Sequence, residues 1–465
     1  MTVSPPPGNS LQARDIASVV HPYTHLKKHL TEGPMVVVRG EGVRVWDDSG
    51  KDYIEGMAGL WSASLGFDNS RLVDAAVRQM KQLPFYHAFA GKSHEPLIEL
   101  SEMLLARAPV PMARVLFANS GSEANDSAMK LVWYYNNALG RPNKKKIISR
   151  IKGYHGVTIA SASLTGLVNN HRDFDLPIAN VLHTDCPHLY RFGAAGESEE
   201  DFATRLAASL EKMIAEQGPE TVAAFIAEPV MGAGGVIVPP KTYFPKIQAV
   251  LNKYDVLMIA DEVICGFGRT GNYWGSQTLE IKPDIITCAK ALSASFLPIS
   301  GILIGDKVWQ AMLMESEKIG VFGHGFTYSG HPVPAAVAVE ALKIYDEIDL
   351  VGHVRAVTPT LQGGLKKFAD HPLVGEVRGI GLLGALELVQ NKKTKEPFAA
   401  TAGAGAAVAR HAQAHGAIVR NMGDVVAFSP PQIISKSEIE ELLARTNLAL
   451  DGALADLKAQ GIAIG

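Results

Sequence analysis

Short apolar runs that stop abruptly at a charged residue recur through the middle of the chain. Residues 256–260 read VLMIA and stop at Asp261, and residues 285–289 read IITCA and stop at Lys290. Runs of this length, rich in β-branched side chains, are typical of strands buried on both faces. Because the chemistry of open α/β sheets collects beyond the carboxyl ends of the strands, we expect Asp261 and Lys290 at one sheet edge.

The same pattern divides the chain into a central segment and two flanks. Residues 71–344 alternate buried strands with amphipathic helices, as a mostly parallel sheet requires. Residues 1–70 are typical of an arm followed by a hairpin, and residues 345–465 of long helices with a compact strand unit. Further strands are predicted over residues 43–46, 53–55, 115–118, 147–150, 225–230, 377–387 and 417–420. The pattern predicts an α/β protein with a large domain and a small α+β domain built from both flanks.

Composition agrees with two domains and excludes several classes of partner. The 465 residues are 47% hydrophobic and 20% charged, which suffices for one large core and one smaller core. A net charge of −3 gives no electrostatic basis for binding nucleic acid or an acidic membrane, and no apolar stretch approaches the length of a membrane span. Three cysteines and an opening segment without signal-peptide features predict a cytoplasmic protein.

The pair Asp261 and Lys290 carries the candidate chemistry. A lysine that ends an apolar strand is costly to bury unless it is paired or used covalently, and desolvation lowers its pKa toward that of a nucleophilic amine. A pyridoxal phosphate enzyme needs a lysine for covalent attachment of the cofactor and an acid opposite the pyridine nitrogen. The structural alternative is a buried ion pair between neighbouring strands of another α/β protein.

The motifs around this pair resemble the signature of the class III, or ω-amino-acid, aminotransferases of pyridoxal-phosphate fold type I. They read DEV at residues 261–263, GFGRTG at residues 266–271 and T-x-x-K at residues 287–290. The resemblance covers nearly the whole chain and implies pyridoxal 5′-phosphate as cofactor, with Lys290 and Asp261 as the catalytic residues. It also implies a homodimer with shared active sites, with a tetramer left open.

Other strand ends supply residues that match the cofactor site of this family. The small and hydroxyl residues at 120–122 precede a helix, where backbone N–H groups and the helix dipole favour an anion such as the cofactor phosphate. By resemblance, Tyr154 covers one face of the pyridine, Val263 covers the other, and Thr327 binds the phosphate of the partner's cofactor. The predicted cofactor-binding residues are Ser120, Gly121, Ser122, Tyr154, His155, Glu228, Asp261, Val263, Lys290 and Thr327.

Each of these assignments has a structural alternative. The serines at 120–122 can serve only as a helix cap, and Tyr154 can be an ordinary packed aromatic. Glu228 resembles the family's glutamate on the substrate side of the cofactor, but it can also be a carboxylate bonded to loop amides. His155 is expected to be structural rather than catalytic, and Thr327 can cap a Gly-rich turn.

The predicted substrate-binding residues are Trp61, Tyr154 and Arg420. By resemblance, Trp61 forms a wall of the pocket; the alternative is a core tryptophan that anchors its Gly-rich loop. Arg420 matches the family position that binds the acid group of a substrate, for which a guanidinium offers a planar fork. Ile264 stands where ornithine-type members usually carry glutamine, so the chain is most similar to the ω-amine:pyruvate branch.

The resemblance implies an aminotransferase that moves an amino group from a primary amine or ω-amino acid to a keto acid, with pyruvate expected, by a ping-pong mechanism. The alternatives are another chemistry of the same cofactor, such as an aminomutase or decarboxylase, or a catalytically silent cofactor-binding protein. A Rossmann-type dehydrogenase is less consistent, because no helix pattern follows residues 266–271. No metal is predicted: the spacing of His183, Cys186 and His188 matches no common zinc framework, and their segment is predicted to be a polar loop.

Overall fold

The structure is a computed structural model that describes residues 8–465. The α-helices are α1 (Leu11–Ser18), α2 (Leu26–Glu32), α3 (Ala58–Trp61), α4 (Ser70–Gln82), α5 (Glu95–Arg107), α6 (Gly121–Ala138), α7 (Ile159–Leu164), α8 (Leu189–Phe192), α9 (Glu199–Gln217), α10 (Tyr243–Lys253), α11 (Gly275–Thr278), α12 (Asp306–Ile319), α13 (Pro332–Glu347), α14 (Leu350–Lys367), α15 (Ala404–Ala414) and α16 (Lys436–Ala459). The strands are β1 (Val37–Glu41), β2 (Arg44–Asp47), β3 (Asp52–Glu55), β4 (Arg114–Ala118), β5 (Lys146–Arg150), β6 (Val181–Thr184), β7 (Val222–Ala227), β8 (Leu257–Asp261), β9 (Ile285–Cys288), β10 (Ser300–Ile304), β11 (Val374–Ile380), β12 (Leu383–Leu388), β13 (Ala417–Ile418), β14 (Arg420–Met422) and β15 (Val425–Phe428).

The largest sheet has seven strands in the order β4-β10-β9-β8-β7-β5-β6. Strands β9, β8, β7, β5 and β6 pair in parallel, whereas β10 is antiparallel to both of its neighbours, β9 and β4. Every residue of β7 and β8 is buried, as expected for central strands with both faces covered. The predicted mostly parallel sheet is confirmed.

Two apolar clusters cover the two faces of this sheet. One face packs against α6 and α12, and the other packs against α5, α9, α10 and α13. Phe225 of β7 packs in the cluster with α5, α9, α10 and α13, and its neighbour Ile226 packs in the cluster with α6 and α12. Successive side chains of a strand point to opposite faces of the sheet. In the part of the chain that the structure describes, no helix has the length and apolar composition needed to cross a bilayer.

Two smaller sheets join the beginning and the end of the chain. Their strand orders are β1-β2-β3-β13 and β11-β12-β15-β14. Strand β13 pairs in parallel with β3, so a C-terminal strand completes the sheet of the N-terminal hairpin. Helices α14, α15 and α16 share one apolar cluster with residues of both sheets. The final helix begins at a capping box, in which the Ser435 and Glu438 side chains each accept the backbone N–H of the other residue.

Four strands, β1, β6, β10 and β15, were not predicted. Each has only four or five residues, and at this length the pattern of apolar and polar residues does not separate a strand from a loop. The predicted loop around Cys186 is present at residues 185–188, but it is neither as long nor as polar as predicted. His183 lies in β6, Cys186 is buried in an apolar cluster, and the buried His188 donates from Nε2 to Glu376 at 2.8 Å. A partner from a distant segment allows this polar ring to be buried.

Candidate active site

A cavity of about 170 Å³ lies at the carboxyl edge of the seven-stranded sheet. Asp261 ends β8 and is the register partner of Thr287 on the neighbouring parallel strand β9. Lys290 follows Thr287 by three residues, so both predicted catalytic side chains line the same cavity. The predicted residues among its lining are Gly121, Ser122, Tyr154, His155, Glu228, Asp261, Val263 and Lys290.

Three hydrogen bonds fix the orientation of the buried Asp261 carboxylate. His155 donates from Nδ1 to Oδ2 at 2.8 Å, and the Asn125 amide donates to the same oxygen at 2.8 Å. The backbone N–H of Val263 donates to Oδ1 at 3.1 Å. The Thr287 hydroxyl donates to the Asn125 carbonyl oxygen at 2.8 Å and thereby orients that amide. Asn125 was not predicted as a site residue. The sequence gives only one signal for it, an amide side chain one turn after the start of α6, and the structure shows that this side chain is buried.

Lys290 lies in a tight turn that follows β9. Lys290, Ala294 and Ser295 have φ values of 50°, 50° and 65°, a region that side-chain-bearing residues seldom adopt and that costs about 1–3 kcal/mol each. Burial lowers the pKa of Lys290 more strongly than the Asp261 and Glu228 carboxylates raise it. The Tyr345 hydroxyl donates to the Ala291 carbonyl at 2.5 Å and helps to hold the turn. The lowered pKa favours the neutral, nucleophilic amine.

The first turn of α6 forms the anion-binding end of the cavity. Ser120 caps this helix by accepting the Glu123 N–H at 3.2 Å and lies outside the lining residues, whereas Gly121 and Ser122 line the cavity. A Cβ on Gly121 would lie 3.1 Å from the Val263 methyl groups, so glycine permits the close approach of these two segments. Backbone N–H groups at the start of a long helix are suited to a phosphate.

Glu228 and Tyr154 form the opposite side of the cavity. The Glu228 carboxylate accepts the backbone N–H of Tyr154 and of Gly232, each at 2.9 Å, and burial raises its pKa. Burial is the larger cause that raises the pKa of Tyr154, and the nearby Tyr23 hydroxyl raises it further. Asn170 donates to the Tyr23 hydroxyl at 2.6 Å, which fixes the N-terminal arm beside Tyr154. Tyr23 was not predicted, because nothing local in the sequence links the arm to residues 154–170.

Besides Ser120, three predicted residues lie outside the cavity lining of this chain. Trp61 is 2% exposed and belongs to the same apolar cluster as Ile264, which does line the cavity together with Leu60. Arg420, in β14, is near enough to lower the pKa of both Lys290 and Tyr154. Thr327 lies on an exposed loop.

The donor set fits pyridoxal 5′-phosphate. The start of α6 offers N–H groups to a phosphate, Asp261 offers a fixed carboxylate to a protonated ring nitrogen, and Lys290 offers an amine of lowered pKa to an aldehyde. Tyr154 and Val263 line the space between these ends. One cavity therefore holds groups for the phosphate, the ring nitrogen and the aldehyde of a single planar cofactor.

Two groups within residues 8–465 place three possible metal ligands within 4.8 Å of one another. In the first, His21 and His29 donate from Nε2 to Oδ1 of Asp15, at 2.7 and 3.2 Å. In the second, the members are His188, Glu376 and Glu387, and the Arg378 guanidinium lies 2.6 and 2.7 Å from the two carboxylates. Both groups have the contacts of hydrogen-bonded ion-pair networks.

A family model and the sequences of known proteins both assign this chain to the same family. The family model described as aminotransferase class-III matches residues 26–450. A probable γ-aminobutyrate transaminase 3, mitochondrial, from Oryza sativa subsp. indica is 52% identical over 431 residues, which cover 92% of this chain and 84% of that protein.

Two solved structures are similar over nearly their whole length. The crystal structure of the ω-transaminase from Pseudomonas jessenii in complex with PMP has 56% identity and a TM-score of 0.95, covering 98% of this chain and 99% of that one. A transaminase solved with L-Ala has 58% identity and a TM-score of 0.90, covering 91% and 100%. The chain therefore belongs to the class III aminotransferases, which are pyridoxal-phosphate-dependent enzymes of fold type I.

Proposed function

We propose that this aminotransferase moves the amino group of a primary amine or ω-amino acid to pyruvate. The observation that carries the proposal is the placement of one cation, Arg420, near Lys290 and Tyr154, beside a cavity whose other lining includes the apolar Leu60, Val263 and Ile264. An apolar wall suits an uncharged carbon chain, and a guanidinium suits a carboxylate.

Two relatives support the two halves of this proposal. The Oryza protein is named for γ-aminobutyrate, an ω-amino acid. The solved transaminase that contains L-Ala holds the amino acid that pyruvate becomes when it accepts an amino group. The same pocket would then take an amine and a keto acid in turn, which is a ping-pong sequence.

In this mechanism the cofactor supplies an electron sink and carries the amino group between the two half-reactions. Ser120, Gly121 and Ser122 would hold its phosphate, and Tyr154 and Val263 would hold its ring. Thr327 of a second copy of the chain completes the phosphate site. The roles of Gly121, Ser122, Tyr154 and Val263 are supported by the lining of the cavity, and that of Ser120 by its position at the start of α6.

Lys290 and Asp261 have separate tasks. The Lys290 amine would hold the cofactor and would then move a proton from the amine-bearing carbon of the substrate to the cofactor carbon that receives the amino group, first as a general base and then as a general acid. Burial supports this role, because it lowers the pKa of Lys290 and increases the fraction of neutral amine. Asp261, held by His155 and Asn125, keeps the proton on the ring nitrogen. Glu228 anchors the segment that carries Tyr154.

The role of Arg420 predicts a selective defect. Arg420→Ala should lower kcat/KM for pyruvate by about 10–100-fold, since a hydrogen bond to a charged group contributes about 1.5–3 kcal/mol. For a hydrophobic monoamine, kcat/KM should change by less than about threefold, because such a donor offers no carboxylate. Steady-state kinetics with each substrate varied in turn measures both values.

Arg410→Ala is the matched control for this experiment. Arg410 is an exposed arginine whose guanidinium donates to Asp456 on α16, so its removal should leave both kinetic constants unchanged. Equal losses for pyruvate and the monoamine in Arg420→Ala would contradict the assignment of Arg420 to the acceptor carboxylate.

We further propose a homodimer whose two active sites are shared. Val321 and Tyr328, on the loop that carries Thr327, and Phe85, Tyr86 and Phe89 are exposed apolar side chains that a partner would cover. The Phe85 and Tyr328 rings lie 5.6 Å apart in an edge-to-face arrangement, so two of these residues form one patch. A symmetric dimer would bury this patch against a second copy.

Shared sites predict complementation between two inactive variants. Lys290→Ala and Thr327→Asp should each be inactive alone, but a mixed dimer would combine the intact Lys290 of one subunit with the intact Thr327 of the other. Random pairing of equal amounts should restore about a quarter of the wild-type specific activity, since half the dimers are mixed and each has one intact site. Co-expression with two purification tags, followed by an activity assay, measures this. Absence of activity in purified mixed dimers would contradict shared sites.

The proposed location is the cytoplasm. Cys186, Cys265 and Cys288 are all free and buried, which is compatible with a reducing compartment. The Oryza relative is named as mitochondrial, so its name supports the proposed activity but not the proposed location.

A further inference from the structure

The segment that enters the active site from β3 has an unusual backbone. We call residues 56–62 the Trp61 loop. Ala58, Gly59 and Trp61 have φ values of 48°, 64° and 67°, within the left-handed region that side-chain-bearing residues seldom adopt. Such a conformation persists only when surrounding contacts fix it. The contacts that fix this loop therefore control its shape.

A single carboxylate provides two of those contacts. Glu55 is the last residue of β3 and is 4% exposed. Its Oε1 accepts the N–H of Met57 at 2.9 Å, and its Oε2 accepts the N–H of Gly59 at 2.5 Å. Burial raises the pKa of Glu55 to about 7 even though both N–H bonds lower it. Each oxygen of a buried acid is thus bonded to the backbone of the Trp61 loop.

The loop connects this carboxylate to the cavity wall. Leu60 lines the cavity, and Trp61 belongs to an apolar cluster with Val230 and Ile264, of which Ile264 also lines the cavity. A shift of the loop would therefore change the apolar side of the cavity in two places. The loop lies apart from the hydrogen bonds that hold Asp261.

We propose that Glu55 is a positioning residue for substrate selection. By holding the N–H groups of Met57 and Gly59, it fixes the Trp61 loop and so sets the size and shape of the apolar wall that the amine meets. The assignment of this wall to the amine rests on the proposed function. Glu55 touches neither the substrate nor the reacting atoms, and it acts only through the loop.

Gly59 allows a second and independent test of the same loop. An added Cβ at Gly59 would meet no atom within 4 Å, so Gly59→Ala introduces no clash. Its φ of 64° nevertheless strains any residue that carries a side chain. Gly59→Ala therefore weakens the loop conformation without altering the carboxylate. Glu55→Gln keeps one acceptor oxygen and should lose one of the two bonds.

The experiment measures loop protection and substrate preference in the holoenzyme. Hydrogen exchange of the peptide covering residues 56–62 should become about tenfold faster or more in Glu55→Ala and Gly59→Ala. The ratio of kcat/KM for a bulky arylalkylamine to that for a small alkylamine should change by about fivefold or more. KM for pyruvate should stay within about twofold of the wild type, and Glu55→Gln should give intermediate values.

Asp47→Asn is the matched control. Asp47 is a buried carboxylate of the same sheet that accepts the N–H groups of Ser49 and Lys51 in the β2–β3 turn. Its replacement should lower the thermal midpoint but leave both the exchange of residues 56–62 and the amine ratio unchanged. A merely structural role for Glu55 would give this same pattern.

Several outcomes would overturn the proposal. One is wild-type exchange and wild-type amine ratio in Glu55→Ala; another is faster exchange without any change in the amine ratio. An equal loss of kcat/KM for every substrate would also overturn it. Failure of the proposed function is separable, because it would appear as absence of amine-to-pyruvate turnover in the wild type, while the exchange measurement would still report on the loop.

Discussion

Lys290→Ala is expected to lower the turnover of amine and pyruvate by about 10⁴-fold or more, the largest effect of any single substitution. The side chain is proposed both to attach the cofactor and to move the proton, so its loss removes two functions together. No other lysine lines the cavity within the described residues. Steady-state assays with purified, cofactor-saturated protein measure the effect, and circular dichroism checks the fold.

Lys144→Ala tests whether the loss of turnover in Lys290→Ala comes from the missing catalytic amine or only from the removal of a desolvated lysine. Lys144 is also a buried lysine whose pKa is lowered by burial, but its ammonium donates to the Tyr254 carbonyl at 3.0 Å, away from the cavity lining. Its replacement should reduce stability and leave turnover of the folded enzyme near the wild-type value. Turnover of Lys290→Ala within tenfold of the wild type would contradict the assignment of the catalytic amine.

Asp261→Asn is expected to lower kcat by about 10²–10⁴-fold. The substitution preserves size but removes the negative charge that is proposed to keep the ring nitrogen protonated. It also replaces one carboxylate oxygen with an NH2 group, which cannot accept the hydrogen bonds that His155, Asn125 and Val263 donate to residue 261. Cofactor content should be measured alongside kcat, so that a loss of chemistry is separated from a loss of binding.

The same substitution should shift the pH dependence in a known direction. Asp261 raises the pKa of Lys290, opposing the larger effect of burial. Removal of this charge lowers the pKa of Lys290 further, so the neutral amine appears at lower pH. The limb of the kcat profile that rises with pH should therefore move to lower pH in Asp261→Asn. A shift to higher pH, or none, would contradict the electrostatic coupling of the two residues.

Asp284→Asn is the control for this pair of measurements. Asp284 is a half-buried carboxylate that accepts the Met258 N–H at 2.8 Å at the other end of β8, and desolvation raises its pKa. Its replacement changes a hydrogen bond to β8, the strand that carries Asp261, without changing the cavity lining. We expect kcat and its pH dependence to remain near those of the wild type.

Asp261 and Lys290 could be predicted from the sequence because both follow short apolar runs. Parallel strands bring their carboxyl ends to one edge, so local pattern alone placed both residues there. The antiparallel β10 and the joining of β13 to β3 could not be predicted in this way. Those pairings depend on which distant segments meet, and short runs carry no signal for that choice.

The residues that were missed share one physical cause. Asn125 and Tyr23 acquire their positions from partners far along the chain, and each looks ordinary in its local sequence. Asn125 bonds to Asp261, 136 residues away, and Tyr23 accepts from Asn170, 147 residues away. Glu55 differs, because both its contacts are local but depend on a loop conformation that the sequence pattern does not encode.

Lys290 is proposed to be the single lysine that binds the cofactor covalently, at the sheet edge where Asp261 also lies. Borohydride reduction of the holoenzyme, followed by proteolysis and mass spectrometry of all lysine-containing peptides, tests it most directly. We expect the added mass of the reduced cofactor on Lys290 in the wild type and on no lysine of Lys290→Ala. Full labelling of a different lysine in the wild-type enzyme would contradict it.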